Sequence, residues 1–190
     1  MTIPVPQPVP WRPASPSGQP LAEFVDRLVA YIIDRIIIAA ATLVVFLPLF
    51  FLALPWFRDL THDLERANSG DDEAVGTAVG GFVLLICGLN VVLFGLGAIA
   101  TYVYEVEMMF RSGQTVGKRV MKIQVVPLNP GVTLTRRMAT KRWLVGNVAT
   151  IVVPLFSYLD GLWQLWDKPF RQCLHDKFAE TTVVKPQPAG

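Results

Sequence analysis

Cysteine, histidine and charge are the scarce materials of this sequence. Two cysteines (Cys87, Cys173) and two histidines (His62, His175) are too few for the paired spacings of a structural zinc site, so no metal is expected. Cys87 lies in an apolar run and Cys173 in a basic tail, which makes a disulfide between them improbable. Charged residues are 17% of the chain, against about 25% in an ordinary soluble domain. The deficit is concentrated in long uncharged runs. There is no basic segment leading into an apolar stretch at the N-terminus, which argues against an ordinary signal peptide. Residues 1–20 are instead rich in proline and read as a solvated arm of polyproline character, with residues 186–190 a short disordered tail.

What remains is apolar. A membrane-crossing helix needs about 20 mostly apolar residues. Leu28 to Leu54 supplies one, uncharged from Ile36 to Phe57, and Ala74 to Tyr104 supplies a second without any charge. Trp143 to Trp166 is a third, interrupted by Pro154 and Asp160. The stretch from Trp56 to Glu73 holds six acids against Arg58 and Arg66. Met108 to Arg142 holds eight bases and no acid. That bias places the second connection and the N-terminus in the cytoplasm. A basic tail follows the third segment and prefers the same side. Each arm of a segment broken at Pro154 is about 15 Å of helix, too short to cross. A re-entrant or interfacial hairpin is therefore favoured over a third span. The fold class expected is an all-α integral membrane protein. It is a small helical bundle with two full transmembrane helices, the Pro-broken segment and a short cytoplasmic β-pair between residues 123–126 and 181–184.

Ala74, Gly81, Gly88 and Gly95 recur every seven residues and line one helix face with small side chains, a packing surface suited to a homo-oligomer. Asn90 on the same helix is expected to hydrogen-bond across to another helix. Arg27 and Asp34, seven apart, share a face of the first helix about 10 Å apart along its axis. Arg27 is expected to snorkel to headgroup level. Asp34 lies two turns deeper and must pair, meet water or take a proton. Arg35 points to a different side. The cluster reads either as a cation or proton site or as a fixed ion-pair lock. Asp160 should face protein or water.

The loop Gly113-Gln-Thr115-Val-Gly117-Lys118 superficially suggests a phosphate loop, but only three residues separate its glycines and Arg119 stands where a hydroxyl is needed. Nucleotide binding is rejected. The basic helix start at Arg136, Arg137, Lys141 and Arg142 is explained by anionic lipids beside a membrane entry, and nucleic acid is a poor alternative.

Three motifs in order carry a resemblance. Arg27-x6-Asp34, Gly113-x-Thr115-x-Gly117-Lys118 and His175-Asp176-x-x-Ala179-x-Thr181-x-Val-Val184 resemble the signatures of the RDD family of bacterial membrane proteins, over roughly residues 21–185. Glu180 stands where glycine is common in that ending. The resemblance implies Asp176 as the second aspartate, a bacterial inner-membrane location and a role in transport of ions or small ligands. One expectation is then a cation/proton exchanger or small-ligand transporter, working as an oligomer through Asp34. The other is a non-transporting scaffold or regulatory partner of another membrane protein. No Ser/His/Asp constellation is present, so neither an enzyme nor a cofactor is expected, and His175 and Asp176 are read as a cap or lock.

Overall fold

The computed structural model describes residues 13–69, 72–153 and 155–186. The expected break at Pro154, most of the proline-rich arm and most of the tail lie outside these residues. The chain divides into two compact units: one of residues up to Asp34 and from Tyr102 onward, the other Arg35–Thr101.

The second unit holds most of the two long apolar helices, the first of which begins in the first unit. α1 spans Phe24–Asn68 and α2 spans Asp72–Tyr102. In each, the most apolar window has no residue buried within the chain. A soluble core helix would bury that surface, whereas a bilayer-facing helix leaves it outward, so the uncovered windows belong to helices made for lipid. Pro48 and Pro55 are accommodated within α1. The acidic stretch read as a connection is helical as far as Asn68. Its charges sit at helical spacing, with Arg66 beside Asp63 at 3.7 Å and His62 beside Glu65 at 3.8 Å. Asn90 is corrected too. Its amide donates to the Ile86 carbonyl of its own helix (2.8 Å) rather than to a neighbour. A methyl group added at Gly81, Gly88 or Gly95 would meet nothing within 4 Å among the described residues, whereas Ala74, at the start of the same face, is buried.

The first unit is built on local signals. α2 passes through a π-helical turn, Val103–Glu107, into α3, Met108–Ser112, which ends at Gly113. α4 is Val116–Val120, and β1, Gln124–Pro127, follows. Thr135 accepts from the Met138 N–H (3.3 Å) and caps α5, Arg136–Trp143. A second π-helical turn, Leu144–Val148, leads to α6, Ala149–Val152. Val153 is extended and Leu155 has φ +68°, so the chain turns back there into α7, Phe156–Trp163. α8, Leu174–Phe178, precedes β2, Thr181–Val184.

β1 and β2 pair antiparallel, with Val125 opposite Val183. Leu21 bridges to Val184, and Ala14 bridges to Pro20. Residues 13–20, expected to be part of a disordered arm, thus form a turn, because the backbone of Leu21 and Ala22 is held beside β2. Beneath lies a small apolar core of Ala22, Ala30, Val106, Met109, Ile123, Val125, Ala139 and Val183. Since β2 pairs with a strand that precedes the third apolar segment, the chain before and after that segment is brought together within this unit.

Candidate functional site

Two carboxylates organise the first unit. Asp34 is buried on α1, and both its oxygens accept hydrogen bonds. The Tyr104 hydroxyl donates to Oδ1 at 2.6 Å, the Gly117 N–H to the same oxygen at 2.8 Å, and the Thr115 hydroxyl to Oδ2 at 2.5 Å. Thr115 stands at the N-cap of α4 without using its hydroxyl there. Asp34 reaches across from another helix and takes the free N–H of Gly117, a stable place for a negative charge.

The glycines of the loop now have physical reasons. A Cβ at Gly117 would lie 2.1 Å from the Ala30 carbonyl oxygen and 2.9 Å from the Asp34 carboxyl, so only glycine lets α4 rest on α1. Gly113 has φ +68°, and a Cβ there would meet the Gln124 side chain at 2.9 Å. Lys118 comes next. It is half-buried; its carbonyl accepts from the Ile123 N–H at 2.9 Å, while its side chain makes no hydrogen bond or ion pair among the described residues. Burial lowers its pKa and Arg142 lowers it further, against the opposing pull of Asp34, Glu105 and Asp176.

Asp176, fully buried on α8, is the second centre. Arg142 is ion-paired with its Oδ1, and Arg27 Nη1 lies 3.4 Å from its Oδ2. The Cys173 N–H donates to the carboxylate at 3.1 Å. Burial alone raises the Asp176 pKa, but Arg142, His175 and Arg27 together outweigh it, and the carboxyl is held well below the usual range. The two arginines are themselves tied down. Arg27 donates to the carbonyls of Arg171 (2.8 Å) and Val183 (3.2 Å), and Arg142 to the Thr181 hydroxyl (2.6 Å).

Around this pair the C-terminal segment is pinned. His175 gives its N–H to Asp160 Oδ1 at 2.9 Å, and its Nδ1 lies 2.5 Å from Oδ2. Gln172 donates to the Thr181 carbonyl at 2.7 Å, and Lys185 meets both oxygens of Asp26 at 2.9 and 3.0 Å.

Several expectations change. Arg27 does not snorkel, because Asp176 and two carbonyls draw it inward. Asp34 pairs with hydroxyls and a backbone N–H, so neither Arg27 nor Arg35 is its hydrogen-bonded partner. Arg142 is not a lipid-facing base. Asp160 faces protein, as expected, with His175 as its partner. Arg142 as the second arginine on Asp176 was missed, since sequence shows it only as one of four bases in a row. Glu105 is half-buried and accepts from Asn147 at 3.1 Å, joining the two π-helical turns.

Cys173, His175 and Asp176 bring potential ligand atoms within 4.8 Å of one another. Their chemistry does not suit a cation. Asp176 is committed to two guanidinium groups, and burial, with Asp176 beside it, pushes the Cys173 thiol pKa up and keeps it protonated. A nucleophilic role for that thiol is disfavoured for the same reason.

The RDD family model matches residues 21–180. No curated protein and no solved structure matches the chain.

Proposed function

The chain belongs to the RDD family, a family of membrane proteins, and from that premise we propose that it is a non-transporting membrane scaffold. Its two spans anchor a unit with buried paired charges that serves as a docking platform at the inner membrane of a bacterium. The N-terminus is cytoplasmic in this reading, which rests on the excess of bases between Met108 and Arg142. The observation that carries it is the set of donors that holds Asp34. Three donors bind its two oxygens, and one is the backbone N–H of Gly117, which cannot reverse direction to make room for a cation. Asp176 is likewise committed, to Arg27 and Arg142. Charges held this way fix the register of helices and loops.

A second reading, cation/proton exchange at Asp34 within a homo-oligomer, has one observation in its favour. The hydroxyls of Tyr104 and Thr115 can each turn from donor to acceptor and offer oxygen to a small cation. The open positions at Gly81, Gly88 and Gly95 on α2 would supply the oligomer contact. Anionic lipids at the exposed bases suit either reading.

Flux in proteoliposomes separates them. Purified protein is reconstituted with a pH-sensitive dye and pulsed with Na⁺, K⁺ or Li⁺, and wild type is compared with Asp34→Asn. A scaffold gives background signals for both and a lower melting temperature for Asp34→Asn. An exchanger gives cation-dependent proton movement that a folded Asp34→Asn has lost.

A further inference from the structure

The third apolar segment begins as a helical run, Arg136–Val152, and returns as α7, with the Phe156 N–H bonded to the Val153 carbonyl at 3.1 Å. From Trp143 to Val152 the helix rises about 14 Å at ~1.5 Å per residue. That is close to half of a hydrocarbon core about 30 Å thick.

Its side chains are sorted by polarity. Val152 is 75% exposed and Leu155 73%, with Ile151, Tyr158 and Leu159 also outward. The polar groups face the protein. Asp160 is buried against His175, and Asn147 donates to Glu105. Thr150 returns its hydroxyl to the carbonyls of Gly146 and Asn147. The outward surface of the turn therefore offers hydrocarbon to its surroundings.

A collar of cations and aromatic rings belongs to the same unit. Arg136 lies over the Phe110 ring at 5.1 Å from its centroid, Lys141 over Phe178 at 5.7 Å, and Lys177 over Trp163 at 6.0 Å. Arg136 also pairs with Glu107 at 3.0 Å and Lys177 with Asp167 at 2.6 Å, while Lys141 and the exposed Arg137 carry the charge without an acidic partner among the described residues. Such pairs suit the boundary where apolar stems meet lipid phosphates.

We infer that this hairpin is a one-leaflet wedge: its tip, carrying Ile151, Val152 and Leu155, lies among acyl chains near the bilayer centre, and the Arg136, Lys141 and Lys177 collar rests on anionic headgroups. The occupant of the exposed apolar surface is lipid. Charge complementarity with an anionic leaflet and membership of a membrane family both point to it. The inference goes beyond the scaffold reading and stands equally if the chain transports.

The test uses the full chain in vesicles of phosphatidylethanolamine and phosphatidylglycerol, in a Cys87→Ser, Cys173→Ser background checked for an unchanged melting temperature. Val152→Cys and Arg137→Cys are labelled separately with a fluorophore. Nitroxide lipids carry the quencher either at mid-chain or at the headgroup. The wedge predicts stronger mid-chain quenching at position 152, the reverse order at 137, and no reaction of an unlabelled Val152→Cys with a membrane-impermeant maleimide on either face. Reaction from the face opposite to Arg137→Cys would mean a crossing and overturn the wedge. Reaction from the same face, or a disulfide between two copies through Val152→Cys, would replace lipid by water or by a second chain and overturn it as well.

Discussion

Gly117 and Asp34 form the contact on which the loop depends. The Cα of Gly117 is pressed against the Ala30 carbonyl, and no rotation of a methyl group relieves a 2.1 Å approach to backbone. Gly117→Ala should lose about 3 kcal/mol, since the clash can only be relieved by moving α4 away from α1. Thermal unfolding in detergent would measure this as a lower, broader transition. Asp176 gives a prediction in pH. Its folded pKa is depressed by Arg142, His175 and Arg27, so its contribution to stability is present above the ordinary carboxylate value, about pH 4, and is lost as pH falls through the folded value. Melting temperature should therefore drop on acidification below about pH 4 more steeply in wild type than in Asp176→Asn. At neutral pH the same substitution should cost about 3–5 kcal/mol, because it leaves two buried guanidinium groups facing an amide. Spacing alone placed Arg27 and Asp34 on one helix face. It could not supply their partners, because Asp176 lies 149 residues from Arg27 and Gly117 lies 83 from Asp34. Arg142 shows the limit most clearly. Four bases close in sequence look alike, yet Lys141 and Arg142 are separated by about 100° of helix rotation, and only Arg142 turns inward.

Among the elements, the two long helices were the most legible, because an uncharged run of this length has no other stable surroundings. The β-pair was also anticipated. Two short β-branched segments bounded by proline or a turn need each other to satisfy their backbone, and the pairing in turn requires the third segment to come back. The helical continuation of α1 to Asn68 was not legible. A charged stretch reads as a loop when its i, i+3 pairs are not weighed against its good helix formers. Thr135→Ala tests the start of the hairpin. Losing the cap on α5 should cost about 1 kcal/mol and loosen α5 locally, visible as faster amide exchange at Met138, whose N–H it receives. His175→Ala removes the ring from Asp160 but keeps the backbone N–H. It should destabilise the returning arm, read as increased protease cleavage between Trp163 and Leu174, while leaving the β-pair intact.

At the scale of the whole molecule, two apolar spans tether a unit in which a small apolar core lies beside paired buried charges. Asp176 is paired with Arg27 and Arg142, Asp160 with His175, Asp167 with Lys177 and Asp26 with Lys185. That pairing adds to the held carboxylate of Asp34 in favouring a platform over a pathway. The most direct measurement is the paired experiment on wild type and Asp34→Asn: cation-driven proton flux in proteoliposomes beside thermal unfolding of the same preparations. The scaffold account predicts background flux in both and a loss of about 2–3 kcal/mol of stability in the variant. Cation-dependent proton flux in wild type, abolished in an Asp34→Asn that melts like wild type, would contradict it.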